Sequence, residues 1–165
     1  MKKGFTLVEL MVVIAIIAIL TAISVPMFSR FKQRSMVGNV IKSAMGNTSA
    51  LQSWWDEAES FNNVAVAVVP NGALLTGVDE FGNTVALGSS LTSMSDLTWA
   101  IDQTSNSLLV LRWNYLSTRC PNIECGGRYC ISCTSDGCYT EVKLNTPTNS
   151  LGLNRKQRSS VDVCP

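Results

Sequence analysis

Residues 10–28 run for nineteen positions without a charged side chain, and that run limits what the chain can become more than any other feature. Coiled as an α-helix at about 1.5 Å per residue, it spans roughly 28 Å, close to the thickness of a bilayer's hydrocarbon layer. Lys2 and Lys3 precede the run, and Arg30, Lys32 and Arg34 follow it, so flanking charge leaves its orientation open. A secretory signal would place a small-residue cleavage site after the apolar stretch, whereas here the small residue, Gly4, stands before it. Cleavage at Gly4 would keep the helix on the mature protein. The competing reading is an uncleaved signal anchor.

Glu9 separates the two. A carboxylate inside an apolar membrane helix costs about 2.5–3.5 kcal/mol at the bilayer centre and less near the interface. No cation lies within a turn of it on the membrane side, so within one chain Glu9 is expected to be unpaired. A cationic group from a neighbouring copy would relieve it, and a new α-amino group on Phe5 is one candidate.

The order Lys2-Lys3-Gly4-Phe5-Thr6-Leu7-Val8-Glu9-Leu10, continued by an apolar run and by Pro26, resembles the N-terminus of type IV prepilins and of type II secretion pseudopilins. The resemblance covers about thirty residues and is architectural beyond them. It implies that a prepilin peptidase cuts between Gly4 and Phe5 and methylates the new amino group of Phe5. It implies that Glu9 guides docking into a growing filament and that the helix bends and partly unwinds around Pro26. The expected partners are other pilin subunits, in a homo- or hetero-polymer, the peptidase and a pilus assembly platform. The chain would sit in the bacterial inner membrane with its head periplasmic, then in an extracellular filament. The leading expectation is a non-catalytic type IV pilus subunit, major or minor, serving adhesion or motility. A type II secretion pseudopilin and a DNA-binding subunit of a DNA-uptake machine are the alternatives.

Past Pro26, Val37, Ile41, Ala44, Thr48, Leu51 and Trp55 recur at spacings of four and three, with Val40 and Met45 beside them. That is one face of a helix, set to pack on a globular head while the first half projects. Pro26 removes a backbone donor, and Gly38 and Gly46 weaken the helix by about 1 kcal/mol each relative to alanine. The helix is expected to end near residues 60–63.

The expected division is a leader at 1–4, an assembly helix at 5–29, an amphipathic half at 30–62 and a head at 63–165. Strands are predicted at 64–69 and 84–87, as a hairpin at 97–101 with 107–115, and at 139–144. The fold class is therefore α+β, a long N-terminal helix on a small antiparallel sheet with a disulfide-stapled C-terminal region. Trp54, Trp55, Trp99 and Trp113 receive no binding role, and burial is expected for at least three.

All six cysteines, Cys120, Cys125, Cys130, Cys133, Cys138 and Cys164, fall in the last third of the chain. They read as staples formed in an oxidising compartment, within a Gly-, Asn- and Ser-rich stretch that lacks a core of its own. Fifteen pairings are open, and the position of Cys164 suggests that it pins the C-terminus to the cluster. Cys130-Ile131-Ser132-Cys133 has redox and zinc spacing but lacks the strand-to-helix context or second close pair those chemistries need. No metal or cofactor is expected. The chain has no histidine, which removes Ser-His-Asp and Cys-His sites.

The net charge is +1, or about −1 without Lys2 and Lys3, so no global field selects a partner. A local basic group, Arg128 with Arg155, Lys156 and Arg158, is weighed as a contact to DNA phosphates and read instead as a solvated loop.

Overall fold

The computed structural model describes residues 4–70, 72–92, 94, 96–115, 125–145, 153, 155–157 and 162–165. Helix α1, Leu7–Met45, runs for 39 residues, and its helical assignment is continuous through position 26. The chain breaks stride at Gly46 and Asn47 and resumes as α2, Thr48–Ala58. Asn47, fully buried, holds this junction. Its Nδ2 donates to the Ser43 carbonyl at 3.1 Å, and its Oδ1 accepts from the Ser89 N–H at 2.7 Å. A short polar side chain here satisfies helix-end groups that a buried break would leave orphaned.

The junction rephases the apolar face. Val37, Val40, Ile41 and Ala44 are buried as the periodicity predicts, but beyond the break Leu51 and Trp54 turn inward. Trp55, expected on that face, is half-buried and donates its indole N–H to the Asn106 carbonyl at 2.9 Å. Of the four tryptophans, Trp54 and Trp113 are buried and Trp55 and Trp99 are half-buried against the same core, fewer than expected.

Among the described residues eight strands follow, antiparallel in every pairing. β1 (Ala65–Val69), β2 (Gly72–Val78) and β3 (Thr84–Ala86) form one sheet in that order. β4 (Leu97–Thr104), β5 (Leu108–Tyr115), β6 (Gly127–Thr134), β7 (Gly137–Leu144) and β8 (Arg155–Gln157) form a second, also in chain order. The strands predicted at 64–69, 84–87 and 139–144 and the 97–115 hairpin are present. β2, β6 and β8 were not anticipated.

Alternation sets the core. Leu109, Leu111 and Trp113 of β5, with Tyr129, Ile131 and Cys133 of β6 and Val142 and Leu144 of β7, face α1 and α2 in one buried cluster. The other face of that sheet buries Val110 and Cys130 beneath Cys164, with Leu108 and Val163 beside them. The C-terminal residues thus cover part of the outer face. Glu141 anchors them, its Oε2 accepting from the Val163 and Cys164 N–H groups at 2.7 and 2.9 Å.

The cysteine-rich stretch, expected to lack a core of its own, supplies β6 and the predicted β7, two interior strands of the larger sheet whose residues join the main core. Cys130 bonds to Cys164 across 34 residues, and Cys133 bonds to Cys138 across the β6–β7 hairpin. Cys125 is also disulfide-bonded. Cys120 lies outside the described residues.

Candidate functional site

The first half of α1 is the part of the molecule that its own fold leaves unfinished. Every large apolar side chain described in residues 5–31 is 47% to 85% exposed, whereas from Val37 onward the same helix is gripped by the head. Exposed apolar surface of this extent on a folded chain marks a lipid or protein contact. Among the described residues one helical run, Leu7–Ala58, is long and apolar enough to cross a membrane, and none of its apolar window is buried inside the protein.

The polar groups within this stretch turn back on their own backbone. Thr21 Oγ1 donates to the carbonyls of Ile17 and Ala18 at 2.9 and 3.0 Å, and Ser24 Oγ donates to Leu20 at 2.7 Å. In an apolar medium, hydroxyls satisfied this way present little unmet polarity to lipid or to a packed neighbour.

Glu9 is the one charged residue between positions 5 and 29. Thr6 is the N-cap of α1, and the two side chains form a capping box. Glu9 Oε2 accepts from the Thr6 backbone N–H at 2.9 Å and from Thr6 Oγ1 at 2.8 Å. Thr6 Oγ1 in turn accepts from the Glu9 N–H at 3.3 Å. Among the described residues Glu9 meets no cation, but the expectation that it stands unpaired within one chain is corrected by its hydrogen bonds to Thr6, which close the open end of the helix. The signal was present as Thr6-x-x-Glu9, the spacing at which an N-cap and its third helical residue reach each other's backbone. A carboxylate at this end also meets the positive pole of the helix dipole. Gly4 and Phe5 precede the cap outside any helix or strand, exposed.

Described members of the predicted basic group lie on two strands, β6 and β8. Arg128, on β6, donates from Nη1 to the Pro165 main-chain oxygen at 3.1 Å and pairs through Nη2 with Asp102 at 3.2 Å. Arg155 and Lys156 are part of β8 rather than a loop, in register with Val142 and Glu141 of β7. Arg158 lies outside the described residues. No group of three or more acidic, cysteine or histidine side chains among the described residues is arranged to hold a metal ion.

The family model for the prokaryotic N-terminal methylation motif matches residues 1–25. A type IV major pilin protein of Neisseria gonorrhoeae is 42% identical over 55 residues, 33% of this chain and 33% of the relative. The fimbrial protein EcpC of Eikenella corrodens is 36% identical over 81 residues, 47% of this chain and 53% of its own length. A type IV major pilin protein of Myxococcus xanthus is 38% identical over 64 residues, 39% of this chain and 29% of the relative. The chain thus spans about a third of the length of the Neisseria relatives it matches. No solved structure matches it.

Proposed function

We propose that the chain is a member of the type IV pilin-like (prepilin) family and a structural subunit, major or minor, of a type IV pilus, a reading supported by its matching N-terminal segment. The observation that carries the reading is the projecting half of α1: an apolar, internally satisfied helix with one capped carboxylate at its tip and nothing among the described residues to cover it. Lipid covers such a surface first, and the same helix from neighbouring copies covers it later. In this reading residues 1–4 are a leader, a prepilin peptidase cuts between Gly4 and Phe5, and the amino group of Phe5 is methylated. The head sits on the periplasmic side until an assembly platform draws the subunit into an extracellular filament, where Pro26 marks the place at which the helix bends. No catalytic role belongs to this reading.

Glu9 then has a second task. The capping box engages Oε2 and leaves Oε1 without a hydrogen-bond partner among the described residues. Cleavage before Phe5 keeps the Thr6 amide and hydroxyl, so the cap survives processing while a new cationic amine appears one residue away. That amine, on an adjacent subunit, fits Oε1, and the attraction is strengthened where water is excluded.

The test is to express Glu9→Ala and Gly4→Leu as full chains in the cells that make the protein. Glu9→Ala should insert and be processed but be absent from sheared filaments, and Gly4→Leu should persist as an unshifted precursor. Glu9→Ala at normal filament levels would sink the docking role. Recovery of the wild-type chain from the cell envelope but never from surface filaments would favour a secretion pseudopilus.

A further inference from the structure

Charge is divided along this chain in a way its net value hides. Residues 43–111 carry seven acids, Asp56, Glu57, Glu59, Asp79, Glu80, Asp96 and Asp102, and no lysine or arginine. Residues 112–165 carry seven lysines and arginines against four acids. The fold gathers members of each group into a surface.

On the outer face of the five-stranded sheet, Arg112 stands directly opposite Arg128, and Arg128 directly opposite Lys143. Three cations therefore line up across adjacent strands about 4.8 Å apart, an arrangement that like-charge repulsion disfavours. Asp102 pairs with the row, at 3.6 Å from Arg112 Nε and 3.2 Å from Arg128 Nη2, and Arg128 also reaches the Pro165 oxygen. Lys143 is exposed with no ion pair among the described residues.

At the end of α2 the signs reverse. Glu57, Asp79 and Glu80 border a cleft of about 540 Å³ whose apolar walls include Trp54 and Phe81, the latter 79% exposed. Asp79 is committed to the β2–β3 turn, accepting from the Phe81 and Asn83 N–H groups at 3.0 and 2.7 Å. Glu57 and Glu80 are exposed and have no cation among the described residues. A cleft with an aromatic wall and an acidic rim suits a lysine or arginine, whose stem lies on apolar surface while its head meets the carboxylates.

We propose that these two surfaces meet between copies of this chain, the acidic cleft of one subunit receiving the cationic row of the next. The proposal rests on the filament reading and names its head-to-head contact. The two surfaces differ, so the contact is heterologous, and one that does not close into a ring repeats as a helix, the form a filament needs. A polyanion would account for the cationic row but leaves the acidic cleft without a use. Complementary potentials of this kind fix register and reject wrong partners.

Charge reversal tests it in the full chain. Glu57→Lys with Glu80→Lys, and separately Arg112→Glu with Lys143→Glu, should each cut the yield of sheared filaments about tenfold or more. The chain carrying all four substitutions should recover much of the loss. Processed chain in the membrane at wild-type level shows that a variant folds, and the milder Glu80→Gln and Lys143→Gln, which should lower the salt concentration at which filaments dissociate, keep the test usable if it does not. Unchanged yields, or a four-fold variant no better than either pair, overturn the contact while leaving the filament reading intact; absence of filaments from the wild-type chain overturns both. Loss of duplex-DNA binding in the Arg112→Glu, Lys143→Glu chain at normal filament yield would also overturn it, making the row a polyanion site.

Discussion

At the scale of single residues, one carboxylate answers two demands. Glu9 closes its own helix through Thr6 and keeps an oxygen available at the tip. The exposed apolar run and the position of Glu9 are legible in the sequence because neither depends on tertiary contacts. The local partner was legible too, in the Thr6-x-x-Glu9 spacing, but a search for cations passes over a hydrogen-bonded solution. Tyr129 shows what spacing cannot reveal. It is fully buried on β6, its hydroxyl 2.7 Å from Thr48 Oγ1. Thr48 gives its own proton to the Met45 carbonyl at 2.7 Å, so Tyr129 acts as the donor. Burial pushes the phenol up to about 12. Its folded value is raised, so its contribution to stability is complete below the unfolded value of about 10 and is lost as pH rises toward 12. Tyr129→Phe should cost about 1 kcal/mol at neutral pH and flatten the loss between pH 10 and 12. Denaturant titration of the detergent-solubilised chain at a series of pH values checks this, and an unchanged alkaline slope would contradict it.

Among the elements, the break between α1 and α2 does most to shape the head. A periodic stripe read straight through Gly46 and Asn47 puts Trp55 inward, and the two-residue interruption turns Trp54 inward instead. The missed strands have similar causes. β2 contains Gly72 and Gly77, which read as turn residues, yet Gly77 is in the strand because the Trp54 indole lies on it, and a Cβ there would fall 2.6 Å from the ring. β6 is buried on both faces at Cys130 and Ile131, so it lacks the polar alternation of a half-exposed strand. β8 has three residues and carries charge, the usual look of a loop. Asn47→Ala should cost about 1–3 kcal/mol, because Ser43 and Ser89 backbone groups lose a buried partner. Equilibrium denaturation measures it, and a cost under about 0.5 kcal/mol would place the junction's stability elsewhere.

For the whole molecule, a two-sheet head holds the second half of a long helix and pushes the first half out. The Cys130–Cys164 bond draws the C-terminus across the outer face of the larger sheet, and closing a loop of that length is worth roughly 3–4 kcal/mol in the chain-entropy model. The general plan of helix, head and staples was readable from hydropathy, periodicity and cysteine count. The division into two sheets was not, because it depends on which strands pair across the chain. The exposed helix remains the feature the rest must explain, and its proposed use as the shared core of a filament is open to one direct measurement. Mass spectrometry of sheared surface filaments should find this chain beginning at an N-methylated Phe5, with no free thiol. A filament-associated chain that still begins at Met1, or filaments from which this chain is missing, would contradict the account.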